Sequence, residues 1–377
     1  MGPRSAPEMS YSEAYDLLKG CRDPEVLKTA APKVSKAAQA LEKGAARIPG
    51  SDVYAVPKGR AFAAGGLLDM PTKEIPTRGA VLKNRVTCGM RCVAIGGAHL
   101  VLAVWGPSSF TWGWAAVGFL SYVLVGIVGI TMGYHRLLTH KSFKTYKWLE
   151  YFIAWVGSQA GQGDPIEWVS THRYHHLHCD TPLDPHSPYE GFWWSHILWL
   201  TGTEHSLLDY ANVPDLKSQL FYRFLEVTFF PALFIAKPLL TYYYLGGMGA
   251  VAWTNAFPLV VGWHATFLVN SAAHVWGDRP YDTGDLSTNN ALVSLLAFGE
   301  GWHCNHHAFP YSARHGLEAW ELDPTWWLIL AMQAVGLAWD VQVPSEKAKA
   351  ARRKGAAVTA DVVIRPRGAV TKRKTKA

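Results

Sequence analysis

The sequence has few charged residues, and two long stretches contain none. Asp, Glu, Lys and Arg make up 17% of the 377 residues, whereas hydrophobic residues make up 49%, a low share of charge for a soluble protein. No charged residue lies between Cys92 and Tyr134, nor between Pro238 and Gly277. Helices of soluble proteins normally keep a charged face, so these stretches argue against a water-soluble fold.

Cysteine is also scarce, and its spacing indicates no disulfide framework. The five cysteines are scattered and contain no Cys-x-x-Cys pair, which excludes a secreted disulfide scaffold and favours a reducing compartment. The sequence also lacks a His-Pro-Gly-Gly haem segment and a ferredoxin-type set of cysteines. Any electrons that the protein uses must therefore come from a separate carrier.

Each charge-free stretch, with the apolar residues beside it, is long enough for two membrane spans of about 20 residues. Turns at Gly106–Ser109 and Gly246–Gly247 divide the stretches. The sequence therefore predicts an all-α membrane protein with four transmembrane helices in two hairpins. The predicted spans lie near 86–105, 111–132, 221–243 and 248–271.

The distribution of Lys and Arg predicts the orientation, because these residues are retained on the cytoplasmic side or its equivalent. Both hairpin loops are uncharged, whereas basic residues precede the first span and follow the second. We therefore expect both termini and a histidine-rich helical cap on the cytosolic or stromal face.

Three parts are predicted: a polar lead-in (1–80), a membrane domain (81–344) and a basic tail (345–377). From Lys347 onward the tail has eleven Lys or Arg residues and one acid, Asp361. Such a tail is expected to meet anionic lipid or an acidic partner, and without a reading module no nucleic acid is expected as a partner. The lead-in lacks a secretory signal, and its acids are unusual for a transit peptide, so the compartment stays open.

Histidine, in contrast, is concentrated. Eight of the sixteen histidines lie in the windows 135–140, 172–176 and 303–307, and His274 follows Asn270 by four residues. In a helical His-x-x-His-His pattern the three imidazoles share one face, whereas His135 and His140 would lie about 140° apart and straddle a helix end. Imidazole is the commonest metal ligand, and nine are too many for one ion, which predicts two ions with open positions. The remaining histidines are expected to be surface or core residues: His99, His178, His186, His196, His205, His264 and His315.

Four segments together carry a resemblance to a known family: HRLLTH (135–140), THRYHHLHCDTPLDPHSPYEGFWWSH (171–196), VNSAAHVWGDRPYD (269–282) and GEGWHCNHHAFPYSARHGLEAWELDPTWW (299–327). Over residues 80–340 the chain resembles the integral-membrane fatty acyl desaturases of the delta-9 (stearoyl-CoA desaturase-like) type. It is most similar to their plant and green-algal branch, which includes the plastid palmitoyl-galactolipid delta-7 desaturases.

The resemblance implies a diiron enzyme that uses O2 and two external electrons to place a cis double bond in a saturated 16- or 18-carbon acyl chain. The substrate would be an acyl-CoA or an acyl lipid. The donor would be cytochrome b5 in the endoplasmic reticulum membrane or ferredoxin in a plastid membrane. Two Fe(2+) ions would be held by nine histidines and by a water on Asn270; the histidines are His135, His140, His172, His175, His176, His274, His303, His306 and His307.

Two further sets of residues are expected around this centre. Carboxylates beside the clusters should orient the imidazoles, and the candidates are Glu167, Asp180, Asp184 and Glu300. An apolar substrate tunnel between the spans and the cap should be limited in depth by side chains of the second span, with Phe119 and Val123 as candidates.

Three alternatives remain at the level of sequence. The first is a plastid palmitoyl-galactolipid delta-7 desaturase, and the second is a membrane diiron lipid hydroxylase, which would share the clusters. The third, a metal carrier or transporter, predicts ligands within the spans, whereas the clusters here fall at their ends.

Overall fold

The computed structural model describes residues 78–354, apart from 181–183, 189–190, 202–209 and 211. Nearly all of the predicted lead-in and most of the basic tail lie outside the described residues, as does His205. The described part is mostly helical. Its α-helices, in chain order, are α1 (Arg78–Trp105), α2 (Trp112–Leu124), α3 (Lys147–Ser158), α4 (Pro165–His178), α5 (Phe192–His196), α6 (Pro214–Lys217), α7 (Leu220–Pro231), α8 (Lys237–Leu245), α9 (Gly247–Val251), α10 (Phe257–Asn270), α11 (Ala291–Leu296), α12 (His303–Ala308), α13 (Pro324–Ala334) and α14 (Glu346–Arg352).

Shorter elements complete or join these helices. Three segments have π-helical i→i+5 hydrogen bonds, and three are single 3-10 turns. The strands β1 (Lys144–Thr145) and β2 (Ala338–Trp339) pair antiparallel. The π-helices are Val125–Thr139, Ala232–Ala236 and Ala252–Ala256; the 3-10 turns are Pro107–Ser109, Leu198–Thr201 and Ala272–His274.

Among the described residues, four continuous helical runs are long and apolar enough to cross a membrane, in agreement with the four predicted spans. The first exposes most of its side chains, as a lipid-facing helix would, whereas half of the fourth is buried inside the protein. The four runs are Val86–Trp105, Trp112–Thr139, Leu220–Leu245 and Gly247–His274.

The second span continues beyond its predicted end near residue 132 because the one charged side chain in this extension, that of Arg136, is paired with carboxylates. Arg136 is fully buried and forms ion pairs of 3.0 Å with both Glu300 and Asp323. An arginine paired in this way does not need to reach water. The helix therefore carries His135 past the apolar stretch and into the cap.

The π-helix Val125–Thr139 packs closely against α3. A Cβ atom at Gly129 would lie 2.6 Å from the Gly157 Cα atom, so the two backbones touch where both residues are glycine. The cap builds on this contact, because α3, α4 and α13 share one apolar core that includes Tyr134, Ile153, Ile166 and Ile329.

We expect Gly129→Val to destabilise the cap. The side chain would collide with backbone atoms, which cannot rotate away, and overpacking of this kind costs about 1–3 kcal/mol. The thermal unfolding midpoint in detergent should therefore fall. Gly96→Val is the matched control, because a Cβ atom at Gly96 meets no atom within 4 Å; equal midpoints for the two variants would contradict the close packing.

Residues 345–354, the start of the basic tail, pack onto the cap. The Lys354 amide donates to the Pro280 carbonyl at 2.9 Å, and the Asp282 amide donates to the Arg352 carbonyl at 3.1 Å. The Arg352 guanidinium also donates to the Ala308 carbonyl at the end of α12. This part of the tail thus braces the helix that carries the third histidine cluster.

Candidate metal centre

Five histidines from three separate segments form a first group. The π-helix and its end supply His135 and His140, α4 supplies His172 and His176, and α12 supplies His306; one nitrogen from each lies within 4.8 Å of the others. The Nε2 atom of His306 is 3.1 Å from that of His135 and 2.9 Å from that of His176. Residues far apart in sequence therefore converge through their ring nitrogens.

The π-helix explains how His135 and His140 meet. The sequence prediction assumed a regular α-helix, in which residues five apart point in different directions, and this was wrong. The His140 amide donates to the His135 carbonyl at 3.1 Å, and an i→i+5 ladder stacks residues five apart above one another. The ring centroids are consequently only 4.8 Å apart, although His140 does directly follow the helix end.

A second group lies beside the first. It contains His175, Cys179, His274 and His307, whose ligand atoms all lie within 4.8 Å of one another. His303 joins it, because its Nε2 atom is 2.9 Å from the Nε2 atom of His274.

Each His-x-x-His-His triplet serves both groups. On α4, His172 and His176 face the first group, whereas His175 faces the second. On α12, His306 belongs to the first group and His307 to the second. The rings of His176 and His307 lie 4.6 Å apart, so the two groups are adjacent.

Carboxylates fix four of the imidazoles. In each pair the Nδ1–H group donates to a carboxylate, which sets the tautomer and leaves the Nε2 lone pair for a metal. Three of these carboxylates, Asp180, Asp184 and Glu300, were candidates from the sequence. The pairs are His135–Glu300 at 2.5 Å, His175–Asp184 at 2.9 Å, His274–Asp180 at 3.1 Å and His307–Asp285 at 2.9 Å.

The structure differs from the prediction for two acids. Glu167 contacts no cluster histidine; it forms an ion pair with Arg91 and so ties the start of α4 to the first span. Asp285 was missed because only acids directly beside the clusters were considered. It lies in the acid-rich segment 278–285, between His274 and the third cluster, which could have been a signal.

We expect Asp285→Asn to lower metal content or activity by about 10–100-fold, the usual cost of losing a carboxylate that orients a ligand. One oxygen of the buried Asp285 carboxylate accepts a hydrogen bond from His307 Nδ1–H. The other accepts hydrogen bonds from the Thr283 hydroxyl and the Ser287 amide. The exposed Asp282 gives the control Asp282→Asn. Metal analysis of both purified variants checks this, and equal metal contents would contradict the role of Asp285.

Burial and neighbouring imidazoles keep four of the ligand candidates neutral. Burial, followed by charge repulsion from nearby histidines, holds the pKa of His140, His172, His176 and His306 well below the usual value. Neutral imidazole is the form that binds metal. Burial alone would raise the pKa of Glu300, but His135, His315 and Arg136 lower it well below its usual range, so this carboxylate is charged.

The buried His140 Nε2 atom has no hydrogen-bond partner among the described residues. A buried polar atom without a partner costs about 1–3 kcal/mol. Converging Nε2 lone pairs, four neutral imidazoles and this unsatisfied nitrogen are together what a bound cation would stabilise. The two groups are therefore able to hold metal.

Three residues behind the ligands were not singled out by the sequence analysis as part of the site. His315 lies 3.3 Å from Glu300, and its ring centroid is 4.5 Å from that of His306. Burial and Arg136 lower the pKa of His315 to about 4. His186 lies 3.5 Å from the Asp184 carboxylate. Both histidines had been expected to be ordinary surface or core residues, and Arg136 was not considered.

An apolar cavity leads to the imidazoles. The space between its walls, counted together with its open mouth, is about 720 Å³. His135, His172, His303 and Asn270 are among the residues that line it. Its walls come from the second and fourth spans, α4 and the segment 296–300.

The prediction of Phe119 and Val123 as tunnel residues was wrong. Neither lines the cavity, and Phe119 is 54% exposed. The wall follows the π-helical spacing instead, because Val125, Ile130 and His135 are each five residues apart. In the α-helical part of the span before Val125, Tyr122 is the residue that lines the cavity.

Comparisons with known proteins match this region of the chain. A family model described as fatty acid desaturase matches residues 111–340, which include every candidate ligand. The chain is 48% identical over 286 residues to an acyl-CoA C20 Delta5-desaturase of Anemone leveillei, covering 74% of this chain and 91% of that protein. It is 51% identical over 257 residues to the chloroplastic palmitoyl-monogalactosyldiacylglycerol delta-7 desaturase of Arabidopsis thaliana, covering 67% and 68%. It is 51% identical over 245 residues to an sn-1 stearoyl-lipid 9-desaturase of Anabaena variabilis, covering 64% and 88%.

Proposed function

This chain belongs to the fatty acid desaturase family and is a fatty acyl desaturase, and we propose that it places a cis double bond of the delta-9 type in a saturated 16- or 18-carbon acyl chain. The reaction consumes O2 and two electrons from outside the chain. The observation that supports this proposal most strongly is the shared wall between the apolar cavity and the imidazoles. A hydrocarbon chain in the cavity would bring a methylene group beside His135, His172 and His303.

The cofactor that suits these residues is a pair of iron ions. Removal of hydrogen from an unactivated methylene needs a redox metal, which zinc is not. The first ion would be held by His135, His140, His172, His176 and His306. The second would be held by His175, His274, His303, His307 and a water on Asn270. Bound iron would pass the two external electrons to O2 and so supply the oxidising power that removes two hydrogens from the acyl chain, with O2 leaving as water.

The chain's own residues prepare this centre. Four carboxylates accept hydrogen bonds from the Nδ1–H groups of ligand histidines, so the Nε2 lone pairs stay directed inward. These acids are Glu300, Asp180, Asp184 and Asp285. Arg136 in turn holds Glu300 and Asp323 in place. Apolar cavity walls exclude water from the reacting methylene, and Asn270 offers a polar group where the cavity meets the histidines.

The proposed topology is two hairpins, with the cap on the cytosolic or stromal face. The distribution of basic residues supports it. The second and fourth spans also both end at the cap, at Thr139 and His274. The electron donor would be cytochrome b5 in the endoplasmic reticulum or ferredoxin in a plastid. The substrate would be an acyl-CoA or an acyl lipid, since relatives are named for both kinds.

Expression in a yeast strain that lacks its own delta-9 desaturase tests the reaction. Growth without added unsaturated fatty acid, with a new delta-9 bond in 16- or 18-carbon chains by mass spectrometry, would support the proposal and a cytochrome b5 donor. A hydroxylated product would contradict desaturation.

The alternative is a delta-7 desaturase of plastid palmitoyl-galactolipid. The 51% identity to the Arabidopsis thaliana protein of that name is consistent with it, and so is the equal identity to the 9-desaturase of Anabaena variabilis with the main proposal. In this case yeast growth would not be rescued, and a delta-7 bond would appear in galactolipid after the chain is directed to a chloroplast.

A further inference from the structure

His196 lies inside the protein on α5, although the sequence gave it no role in the site. Its side chain is buried, and its Nδ1 atom is 3.0 Å from the Ser271 hydroxyl oxygen. Its ring stacks on that of Phe192, with the centroids 5.6 Å apart and 9° between the planes. Burial and the neighbouring His264 lower the pKa of His196, so the ring is neutral. Through Ser271 it reaches the residue that directly follows Asn270.

Ser271 lies at the turn that joins Asn270 to His274. It is the fully buried C-cap residue of α10. Its amide donates to the Phe267 carbonyl at 3.0 Å, and its carbonyl accepts the His274 amide at 3.2 Å. The other ligand candidates of the second group lie on α4 and α12, whereas His274 lies in a single 3-10 turn. Such a turn has poorer hydrogen-bond geometry than an α-helix, so the direction of the His274 ring depends on where Ser271 is held.

Two more histidines hold His196 from its other edge. Its Nε2 atom is 3.0 Å from His264 Nδ1 on the fourth span, and His264 Nε2 is 3.0 Å from His99 Nε2 on the first span. His99 Nδ1 is 2.8 Å from the Ile95 carbonyl oxygen. A carbonyl can only accept, so His99 carries its proton on Nδ1, and neutral rings then place the protons of His264 and His196 on Nε2. His196 Nδ1 is therefore left to accept the Ser271 hydroxyl hydrogen.

We propose that His196 is a positioning residue for the second histidine group, which acts through the Ser271 hydroxyl to fix the turn that carries His274. The inference rests on the proposed metal centre and leaves its ligands as they are. Groups that orient metal ligands typically change metal affinity by about 10–100-fold. His196 acts one step further out than Asp180, which contacts His274 directly, so we expect an effect at the lower end of that range.

Two substitutions of His196 separate its two contacts. An asparagine carboxamide occupies the position of the imidazole Nδ1 atom, whereas the longer glutamine side chain places its carboxamide near the position of Nε2. His196→Asn should therefore keep the contact with Ser271 and lose the contact with His264, and His196→Gln should do the reverse. A merely structural role of the ring would be impaired by both substitutions.

The first measurement is hydrogen exchange, by mass spectrometry, of peptides that contain residues 271–276 in the metal-free full-length protein. The amides of the last three residues in this segment donate within the turn, so their exchange reports how firmly it is held. We expect His196→Gln and Ser271→Ala to speed this exchange by about tenfold through the loss of one hydrogen bond, and His196→Asn to leave it unchanged. The double variant His196→Gln/Ser271→Ala should exchange no faster than either single variant, because both changes remove the same contact.

The second measurement is iron per chain during titration of the metal-free protein with Fe(II). His196→Asn should fill like the unchanged protein, whereas His196→Gln and Ser271→Ala should need about tenfold more free iron to bind the second ion. Unchanged exchange in His196→Gln, or equal effects in His196→Asn and His196→Gln, would overturn the inference. Faster exchange with unchanged iron binding in His196→Gln would also overturn it. Absence of bound iron from the unchanged protein would instead overturn the proposed metal centre itself.

Discussion

Replacement of His306 by Ala is expected to abolish desaturation and to reduce the bound iron to about one ion per chain. His306 is the imidazole on which the first group converges, since its Nε2 atom lies near those of both His135 and His176. Removing it deletes a ligand and leaves the other lone pairs facing an empty volume. The loss should exceed the roughly 10–100-fold effect of removing an orienting carboxylate.

The measurement is iron per chain together with turnover in a cell extract. His99→Ala is the control, because this partly buried imidazole contacts His264 rather than either ligand group. It should keep the full iron content. Unchanged iron content and turnover in His306→Ala would show that the first group does not hold a catalytic metal.

Replacement of Tyr122 by Ala is expected to shift the preferred chain length upward. Tyr122 lines the cavity on the second span, thirteen residues before His135, and Pro258 lies opposite on the fourth span, twelve residues before Asn270. Twelve helical residues span about 18 Å, so Tyr122 lies at the end of the cavity farthest from the imidazoles. Its hydroxyl donates to the Leu296 carbonyl, and its ring packs against Phe298.

The size of the expected change in chain-length preference follows from the binding free energy of one methylene group. One methylene in an apolar pocket is worth about 1–3 kcal/mol, or about 10–200-fold in specificity. Competition between 16-, 18- and 20-carbon substrates should therefore show at least about a tenfold change in ratio. Phe119→Ala removes an exposed aromatic side chain from the same span and should leave the ratio unchanged; an equal shift in both variants would contradict this assignment of the cavity's end.

The sequence predicted four apolar helices, and it pointed to three of the four acids that contact cluster histidines, because each has a local signal. Long charge-free runs can hardly be anything other than spans, and ligand spacing on a helix follows from its periodicity. The cavity wall could not be predicted in the same way. Phe119 and Val123 lie in the α-helical part of the span, where Tyr122 lines the cavity instead, and the uniformly apolar sequence does not mark which face of that helix meets the cavity.

Partners that are distant in sequence were equally hidden. Arg136 is buried because Glu300 and Asp323 meet it from more than 160 positions away, and Asp285 reaches His307 from an irregular segment. Glu167 followed the expected position beside a cluster but pairs with Arg91. Short sequence spacing therefore pointed to the histidine clusters better than it pointed to the acids and the arginine that contact them.

The most direct test of the proposed centre is X-ray diffraction from crystals of the purified enzyme, with data collected on both sides of the iron absorption edge. We predict two anomalous iron peaks, one among His135, His140, His172, His176 and His306, and one among His175, His274, His303 and His307. A single peak, or peaks that appear only at the zinc edge, would contradict a two-iron centre built from these residues.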